Sequence, residues 1–244
     1  MSSYIEECVK GPRVLPSAKA QPILFSAPMI RALLAGSKTQ TRRIMKPQPE
    51  HLQHHKWKGK LIYEGEHRMW CWKDQIYDGL WDFESDRAAL AKHAPYQVGD
   101  LLWVREGLHR PDGDPWLYRA DNQPVMVAKE DETAMLVWTH HKRQDHCPSM
   151  FMPRWASRIT LEVAGVRCQR LQDITEKDAR AEGIQVLPLQ SEDDPSAWWQ
   201  SSPGVHQDRT ARGSFIQLWD SINGKGAWSR SGWVWAYSFR QVEV

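Results

Sequence analysis

One short stretch of the chain concentrates side chains that can act as acids, bases and nucleophiles. The apolar residues 33–34 run into Gly36, and residues 38–43 then supply a lysine, two threonines and two arginines. Lys38 and Thr41 lie three positions apart just past a predicted helix end, so they can meet over one small pocket with a positive rim of arginines. The alternative is a solvated basic turn that follows a helix, since short motifs often have no chemical role.

The residues before this stretch predict the elements that hold it. Residues 23–25 form a short apolar run that is typical of a buried strand. Ser26 can cap a helix whose first turn contains Pro28, and Gly36 can end that helix in the left-handed conformation. The apolar face of the helix consists of Met29, Ile30, Leu33 and Leu34. We therefore expect an anchored helix end that holds the basic segment in register.

Hydrophobic periodicity predicts the remaining elements. Strands are expected over residues 101–106, which follow a Val98–Gly99–Asp100 turn, and over residues 116–120, 159–163 and 233–239. The last of these has an aromatic residue at every second position, which is typical of a central strand in a barrel core. A helix is expected after a Thr175 cap, with Glu182 at its end and Gly183 as its stop, and another after a Ser214 cap.

Length and composition bound the organisation of the chain. At 244 residues it fits a loosely ordered arm over residues 1–21 and a single domain over 22–244. Polar, irregular composition predicts insertions in that domain at about 46–97, 121–150 and 185–212. The net charge of +2 is too small to indicate nucleic-acid binding by itself, so any such binding needs a local patch. Most of the 14 tryptophans are expected in the core, and the alternative is stacking surfaces.

The cysteine pattern and the hydropathy of the sequence indicate where in the cell the protein is expected. The four cysteines are scattered and form no C-x-x-C pair, which favours reduced intracellular thiols over a disulfide scaffold. No apolar run approaches the ~20 residues of a membrane span, and the N-terminus has no secretory apolar region. We expect a cytoplasmic protein with no membrane association.

Several familiar sites lack their residues. Gly36–Thr39 resembles the end of a phosphate-binding loop, but Ser37 stands where that motif needs glycine. Metal binding is disfavoured because the histidine clusters have no usual ligand spacing; they are His51, His54 and His55, and His140, His141, His146 and Cys147. We expect no metal and no cofactor.

Two pairs of residues are further candidates for substrate binding. Arg105 and Glu106 point to opposite faces of a regular strand, so one of them faces the pocket unless the two form a surface ion pair. Arg154 and Trp155 together suit a phosphate and a stacked base. The alternative for this second pair is a tryptophan packed at a sheet edge with an arginine lying across it.

The segment Leu34–Arg42, with Arg43, resembles the G-x-K-T-x-T-x-R signature of the activating signal cointegrator homology (ASCH) superfamily. The Gly99–Asp100 turn and the closing aromatic strand agree with the PUA-like β-barrel of that superfamily. The resemblance covers about residues 22–45, 96–120 and 150–243. It implies an α+β fold, with a barrel flanked by short helices and carrying long irregular insertions. Residues 154–159 and 218–223 are similar to segments of larger ASCH-like proteins carried by phages and prophages.

One branch of the superfamily, the small N4-acetylcytidine amidohydrolases, is similar at the residues that matter. The resemblance implies Lys38, Thr41 and Glu182 as the catalytic set, with Thr39 and Arg42 among the substrate-binding residues. Thr41 would attack an acyl carbonyl, Lys38 would act as the base, and Glu182 would carry a proton or orient the lysine. A lysine acts as a base only when neutral, so its pKa must fall from ~10.4.

A second function remains open from the same residues. PUA-like barrels are similar in shape to RNA-binding domains, so the chain is alternatively an RNA-binding module, with or without ribonuclease activity. In that interpretation Lys38 and Arg42 contact phosphate, and Trp155 or Trp198 stacks on a base. The expected partner is therefore a modified nucleoside or an RNA, and the sequence does not give the oligomeric state.

Overall fold

The structure is a computed structural model that describes residues 20–46, 61–64, 67–72, 75–77, 91, 94–111, 115–126, 145–187, 198–202 and 205–242. The strands are β1 (Ala20–Leu24), β2 (Gln40–Ile44), β3 (Leu61–Glu64), β4 (His67–Trp72), β5 (Gln75–Tyr77), β6 (Leu101–Arg105), β7 (Leu108–His109), β8 (Leu117–Tyr118), β9 (His146–Cys147), β10 (Thr160–Arg170), β11 (Gln185–Val186), β12 (Trp199–Gln200) and β13 (Trp233–Val242). The helices are α1 (Ala27–Leu34), α2 (Glu176–Ala181), α3 (Ala211–Asn223) and α4 (Ala227–Arg230). Short 3₁₀ turns span Ser149–Phe151, Arg154–Ala156 and Leu171–Asp173.

A five-stranded sheet in the order β1-β6-β10-β13-β2 forms the centre of the fold. β1 pairs in parallel with β6, and the other neighbours are antiparallel. β10 and β13 pair along almost their whole length, with a bulge between Val163 and Gly165. Smaller sheets have the orders β3-β4-β5, β8-β7-β9 and β11-β12.

The side chains of β13 point alternately into two apolar cores, one on each face of the sheet. Its odd-numbered aromatic residues, Trp233, Trp235, Tyr237 and Phe239, are all buried with α1 and the inner residues of β1, β6 and β10. Val234 faces the other way and joins a second cluster formed mainly by α2, α3 and α4. Because side chains alternate across a strand, this one segment anchors helices on both sides of the sheet.

The two edge strands of the sheet approach each other through side chains. The Arg43 guanidinium of β2 donates to the Leu24 carbonyl of β1 at 2.7 Å. The Phe25 and Phe239 rings lie 6.3 Å apart. No strand pairing joins β1 to β2 in the part of the chain that the structure describes. The predicted α+β class is confirmed, but the described strands form a curled open sheet and not a closed barrel.

The local predictions can be compared with the described elements. The helix before the basic segment, its left-handed Gly36 (φ 71°) and the Thr175 cap are confirmed. The Ser214 cap is wrong: α3 begins four residues earlier than predicted, because the Thr210 side chain accepts the Gly213 N–H, and Ser214 is buried.

Four ranges differ from their predictions. The strand predicted over 116–120 shortens to β8, and the one over 159–163 continues to Arg170 as β10. β1 already begins at Ala20, inside the predicted arm. The 185–212 insertion contains β11 and β12 among its described residues.

Some predictions fall on residues that are not described. Residues 1–19 and much of the 46–97 and 121–150 insertions lie outside the described ranges, as do His51, His54, His55, His140 and His141. Within those ranges, no helix is long and apolar enough to cross a membrane.

The buried sheet gives a prediction about stability. Leu161 of β10 is fully buried in the core, whereas Leu34 at the end of α1 is 44% exposed. Leu161→Ala should lower the free energy of unfolding by about 2–5 kcal/mol, because it removes apolar contacts and leaves a cavity. Leu34→Ala is the matched control and should change it by about 0.5 kcal/mol or less. Urea denaturation of both variants checks this, and equal losses would contradict the described core.

Candidate active site

The backbone brings the basic segment against the end of α2. Gly36 turns the chain out of α1, and the N–H groups of Ser37 and Lys38 both donate to the Ala32 carbonyl, at 3.0 and 3.1 Å. The Thr39 N–H then donates to the Ala181 carbonyl at 2.8 Å, and residues 38 and 182 form a β-bridge. Lys38 therefore lies beside Glu182 although 144 positions separate them in sequence.

Gly183 permits this close approach. Its φ is +98°, and a Cβ at this position would lie 2.9 Å from the Ala32 Cβ and 3.3 Å from the Lys38 Cβ. Only glycine fits both the backbone conformation and the contact without a shift of α1 or Lys38.

The Lys38 ammonium is enclosed by oxygen atoms. Its Nζ donates to the carbonyls of Gln40 and Glu182, both at 2.8 Å, and to Glu182 Oε2 at 2.9 Å. The Lys38 side chain has no exposed surface. All three protons of the ammonium thus have an acceptor, which is the full capacity of a charged lysine.

Arg42 completes the group from the other side of Glu182. Its Nη1 donates to Glu182 Oε1 at 2.8 Å, and its Nη2 lies 3.1 Å from Asp178 Oδ2. Arg167 donates to Asp178 Oδ1 at 3.1 Å. The Arg42 side chain is also fully buried, and its Nε has no hydrogen-bond acceptor. Two carboxylates are thus shared among three cations. Nη2 of Arg42 is close enough to Asp178 for an ion pair but makes no hydrogen bond, so two buried nitrogens of Arg42, Nε and Nη2, lack a hydrogen-bond acceptor.

Burial and charge act against each other on these groups. Burial lowers the pKa of Lys38, Glu182 opposes this, and the positive charges of Arg43 and Arg42 lower it further. For Asp178, burial favours the neutral acid, but the Arg167 hydrogen bond and the Arg42 charge hold its pKa below the usual value. Burial therefore makes it easier for Lys38 to lose its proton than it is for an exposed lysine.

Thr41 lies next to this group but is not bonded to it. It is 1% exposed and pairs with Tyr237 across β2 and β13. Among the described residues, no hydrogen bond joins its hydroxyl to Lys38 or Glu182. The structure thus brings the predicted lysine and glutamate into direct contact, and the predicted nucleophile only into their neighbourhood.

A cleft of about 70 Å³ opens along the outer edge of β2. Thr41, Arg42 and Glu182 line it on one side, and residues of α3, among them Phe215 and Trp219, line it on the other. Phe239 N donates to Thr39 O, and Met45 N to Trp233 O, so the odd-numbered residues of β2 face β13. In an antiparallel pair the backbone groups of the intervening residues point away from the partner strand, and one of them, the Gln40 carbonyl, accepts from Lys38.

The other predicted substrate-binding residues lie outside this cleft. Thr39 is exposed, and its backbone bonds hold β2 in place. Neither Arg105 nor Glu106 lines the cleft, and the two do not pair with each other among the described contacts. Glu106 is buried and bonds both of its oxygens to Arg158, at 2.8 and 2.9 Å. The Arg105 guanidinium lies over the Trp103 ring.

Arg154 and Trp155 are neighbours in one 3₁₀ turn, but their side chains lie in different surroundings. Trp155 packs against the apolar cluster that includes Leu108 and Trp116. Arg154 is exposed and lines a different cavity. The structure thus places Trp155 in the packed surroundings of the alternative interpretation, while joint binding of a phosphate and a base by these two neighbours stays a prediction.

Sequence reasoning missed the roles of two residues of the site. Asp178, which follows the Thr175 cap, was not predicted as a site residue, but its carboxylate lies against Arg42 and Arg167. Gly183 was predicted only as a helix stop. The available signal was the conjunction of an acid at a helix C-terminus, where the dipole disfavours it, with a glycine directly after it. No group of three or more potential metal ligands occurs among the described residues.

Comparisons with protein-family models, curated proteins and solved structures find no match to this chain. The interpretation of the cleft therefore rests on its geometry and on the motif around Lys38.

The Lys38–Glu182 contact gives a prediction with a pH signature. Glu182→Gln keeps the shape of the side chain but leaves the buried ammonium without its anion, which should destabilise the fold by about 3–5 kcal/mol near neutral pH. The change also removes the influence that raises the Lys38 pKa. Between the lowered Lys38 pKa of the folded variant and the unfolded pKa of ~10.4, the unfolded variant binds more protons than the folded variant, so its stability should rise with pH in that range.

Urea denaturation at about pH 7 and about pH 9.5 measures this, and the deficit relative to the unmodified protein should shrink at the higher pH. Glu162→Gln is the matched control. Glu162 pairs with the exposed Arg240 at 2.8 Å, so this substitution should cost about 1 kcal/mol or less. A Glu182→Gln deficit that is the same at both pH values would contradict the assignment to Lys38.

Gly183 gives a second prediction because Gly224 offers a matched control. Gly224 has nearly the same φ, +96°, but nothing lies within 4 Å of a Cβ built on it. Gly224→Ala should cost about 1–3 kcal/mol from backbone strain alone. Gly183→Ala should cost more, because the new methyl group also meets Ala32 and Lys38. Thermal unfolding compares the two, and equal losses would show that the contact does not restrict residue 183.

Proposed function

We propose that this protein hydrolyses the amide bond of an acylated nucleobase, with N4-acylcytidine as the substrate class, and that it is an ASCH-like protein with a PUA-like sheet. The observation that carries the proposal is the buried contact between Lys38 and Glu182 at 2.9 Å, beside a cleft that Thr41 also lines. The motif resemblance implies the same three residues as a catalytic set. The curled sheet, with edges bridged by Arg43 and Leu24, is compatible with a PUA-like relationship.

The cleft has the mixed chemistry that such a substrate needs. Phe215 and Trp219 offer apolar ring surface against which a planar base can pack. At about 70 Å³ the cleft is smaller than a usual small-molecule site, so the proposal requires it to widen when the substrate binds. The orphaned Nε of Arg42 is a buried donor that suits the carbonyl oxygen of an acyl group. Buried polar groups are usually paired, so an unpaired donor in a cleft supports a ligand there.

The proposed first step frees the lysine. A proton passes from Lys38 Nζ to Glu182 Oε2 along the hydrogen bond between them, which leaves a neutral amine and a neutral acid. When substrate enters, the Thr41 hydroxyl must come within hydrogen-bonding reach of Lys38, as catalytic contacts often tighten only in the substrate complex. Lys38 then takes the hydroxyl proton while Thr41 Oγ1 bonds to the acyl carbon.

The remaining steps return every proton. The carbonyl oxygen carries the negative charge of the tetrahedral intermediate, and the Arg42 guanidinium stabilises it. The bond from the acyl carbon to the base nitrogen breaks, and the Glu182 proton goes to that nitrogen. Water then attacks the Thr41 ester while the Glu182 carboxylate takes one of its protons. Glu182 returns this proton to Thr41 Oγ1 as the ester bond breaks, which releases the carboxylic acid and free Thr41. The net reaction consumes one water.

Hydrolysis of N4-acetylcytidine by purified protein, followed by mass spectrometry, tests the proposal. Thr41→Val removes the hydroxyl at constant shape and should abolish turnover, whereas Thr41→Ser keeps the hydroxyl and should retain it. Lys38→Met should lower kcat/KM by about 10²–10⁴-fold, the usual contribution of a general base. In the unmodified protein kcat/KM should fall as the pH rises toward 10.5, because burial lowers the Lys38 pKa and the reaction needs the one proton that Lys38 and Glu182 share.

Urea denaturation of each variant separates loss of chemistry from loss of fold. If Thr41→Val turned over substrate at the rate of the unmodified protein, Thr41 would not be the nucleophile. If Lys38→Met did the same, Lys38 would not be the base.

A further inference from the structure

A second cavity, of about 440 Å³, lies on the outer face of the central sheet and shares no residue with the cleft beside Lys38. Trp103, Thr160 and Gln241 contribute to its floor from β6, β10 and β13, and Arg154, Ser157 and Arg158 form its wall. Its volume falls within the range of about 300–1,000 Å³ that is usual for small-molecule sites. We call it the outer cavity.

Trp103 presents a fixed aromatic ring in the outer cavity. The Arg105 guanidinium lies 4.5 Å from the centroid of this ring, and Arg105 Nη1 donates to the Met150 carbonyl at 3.0 Å. Trp103 is also flanked on the sheet by Pro22 and Thr160, its partners in β1 and β10. A ring held on several sides loses little freedom on binding, so it suits stacking against another flat group.

Arg154 supplies a charge to the same cavity. It is exposed, and its guanidinium makes no hydrogen bond or ion pair in the described part of the chain. The Arg158 donors, by contrast, are already used: they bond to both oxygens of Glu106 and to both oxygens of Asp121. Arg154 is therefore the residue that can bind an anion in the outer cavity. Its guanidinium presents two parallel N–H donors, which match two oxygens of a phosphate.

Arg105 adds a second positive group beside the ring. Its Nε is buried and has no hydrogen-bond acceptor, although Nη1 is bonded. A flat aromatic surface, an unpaired arginine and a cavity of this volume together match one ligand chemistry, a planar base joined to a phosphate. We infer that the outer cavity binds a nucleotide, with the base on Trp103 and the phosphate on Arg154.

This inference is independent of hydrolysis at Lys38. It uses Arg105 and Arg154, two residues whose types indicated substrate binding from the sequence but which lie outside the cleft. The two sites are compatible with one nucleic-acid substrate that contacts both, and equally with a separate nucleotide effector.

Isothermal titration calorimetry with cytidine monophosphate, cytidine and inorganic phosphate tests the outer cavity on the full chain. The nucleotide should bind more tightly than either of its parts. Arg154→Gln should weaken nucleotide binding about 10-fold or more while leaving cytidine unaffected, because a charge-assisted bond to phosphate is worth about 1.5–3 kcal/mol. Trp103→Leu should weaken the nucleotide and cytidine but not inorganic phosphate.

Two controls separate this site from the cleft and from general charge. Arg119→Gln removes an exposed arginine that does not line the cavity and should leave binding unchanged. Thr41→Val should abolish hydrolysis yet keep nucleotide binding, so that the two proposals fail separately. If Trp103→Leu does not fold, the exposed Arg154→Gln decides alone. No nucleotide binding, binding that resists Arg154→Gln, or binding of inorganic phosphate as tight as that of the nucleotide would each overturn the inference.

Discussion

The contact between the Lys38 ammonium and the Glu182 carboxylate is the constraint on which the site depends. Removing two charges from water costs several kcal/mol for each ion, so such a pair persists only where further hydrogen bonds satisfy it. Here the Gln40 and Glu182 carbonyls complete the shell of the lysine, and Arg42 occupies the second oxygen of the glutamate. The close packing of α1 against residue 183, the edge position of β2 and the approach of α2 all serve this arrangement.

The sheet explains how residues so distant in sequence meet. β13 pairs with β2 on one side and β10 on the other, and its alternating side chains anchor α1 on one face and the α2–α4 cluster on the other. Lys38 follows α1, which packs on the first face of the sheet, and Glu182 lies at the C-terminal end of α2, which packs on the second face. Both reach the free edge of β2, where no further strand intervenes among the described elements. An edge strand normally needs protection from other strands, and here the two helix ends and α3 cover it.

Sequence reasoning succeeded where local rules decide the outcome. Helix α1, its glycine stop and the alternating aromatic residues of β13 follow from periodicity and backbone preference alone, and the structure has them all. It failed where tertiary contacts choose between equal local options. Ser214 and Thr210 are both good caps, and packing selected Thr210. Glu106 has the right type and spacing for a pocket residue, yet its partner is Arg158, 52 positions away, which no local pattern specifies. The neighbourhood of Lys38 and Glu182 was reached only through the family resemblance.

The burial of so many charges at one place argues for chemistry more than for stability. An apolar pair of similar volume in place of Lys38 and Glu182 is expected to stabilise the fold as well or better, because no ion would need to leave water. What an apolar pair lacks is a proton that can move. In a buried lysine–glutamate pair the charged and neutral forms differ by one proton transfer along a 2.9 Å hydrogen bond, and burial narrows the free-energy gap between them. A surface pair has no such property, since water holds both of its charges. The feature that makes this cluster costly for folding is therefore the same feature that suits it to acid–base work.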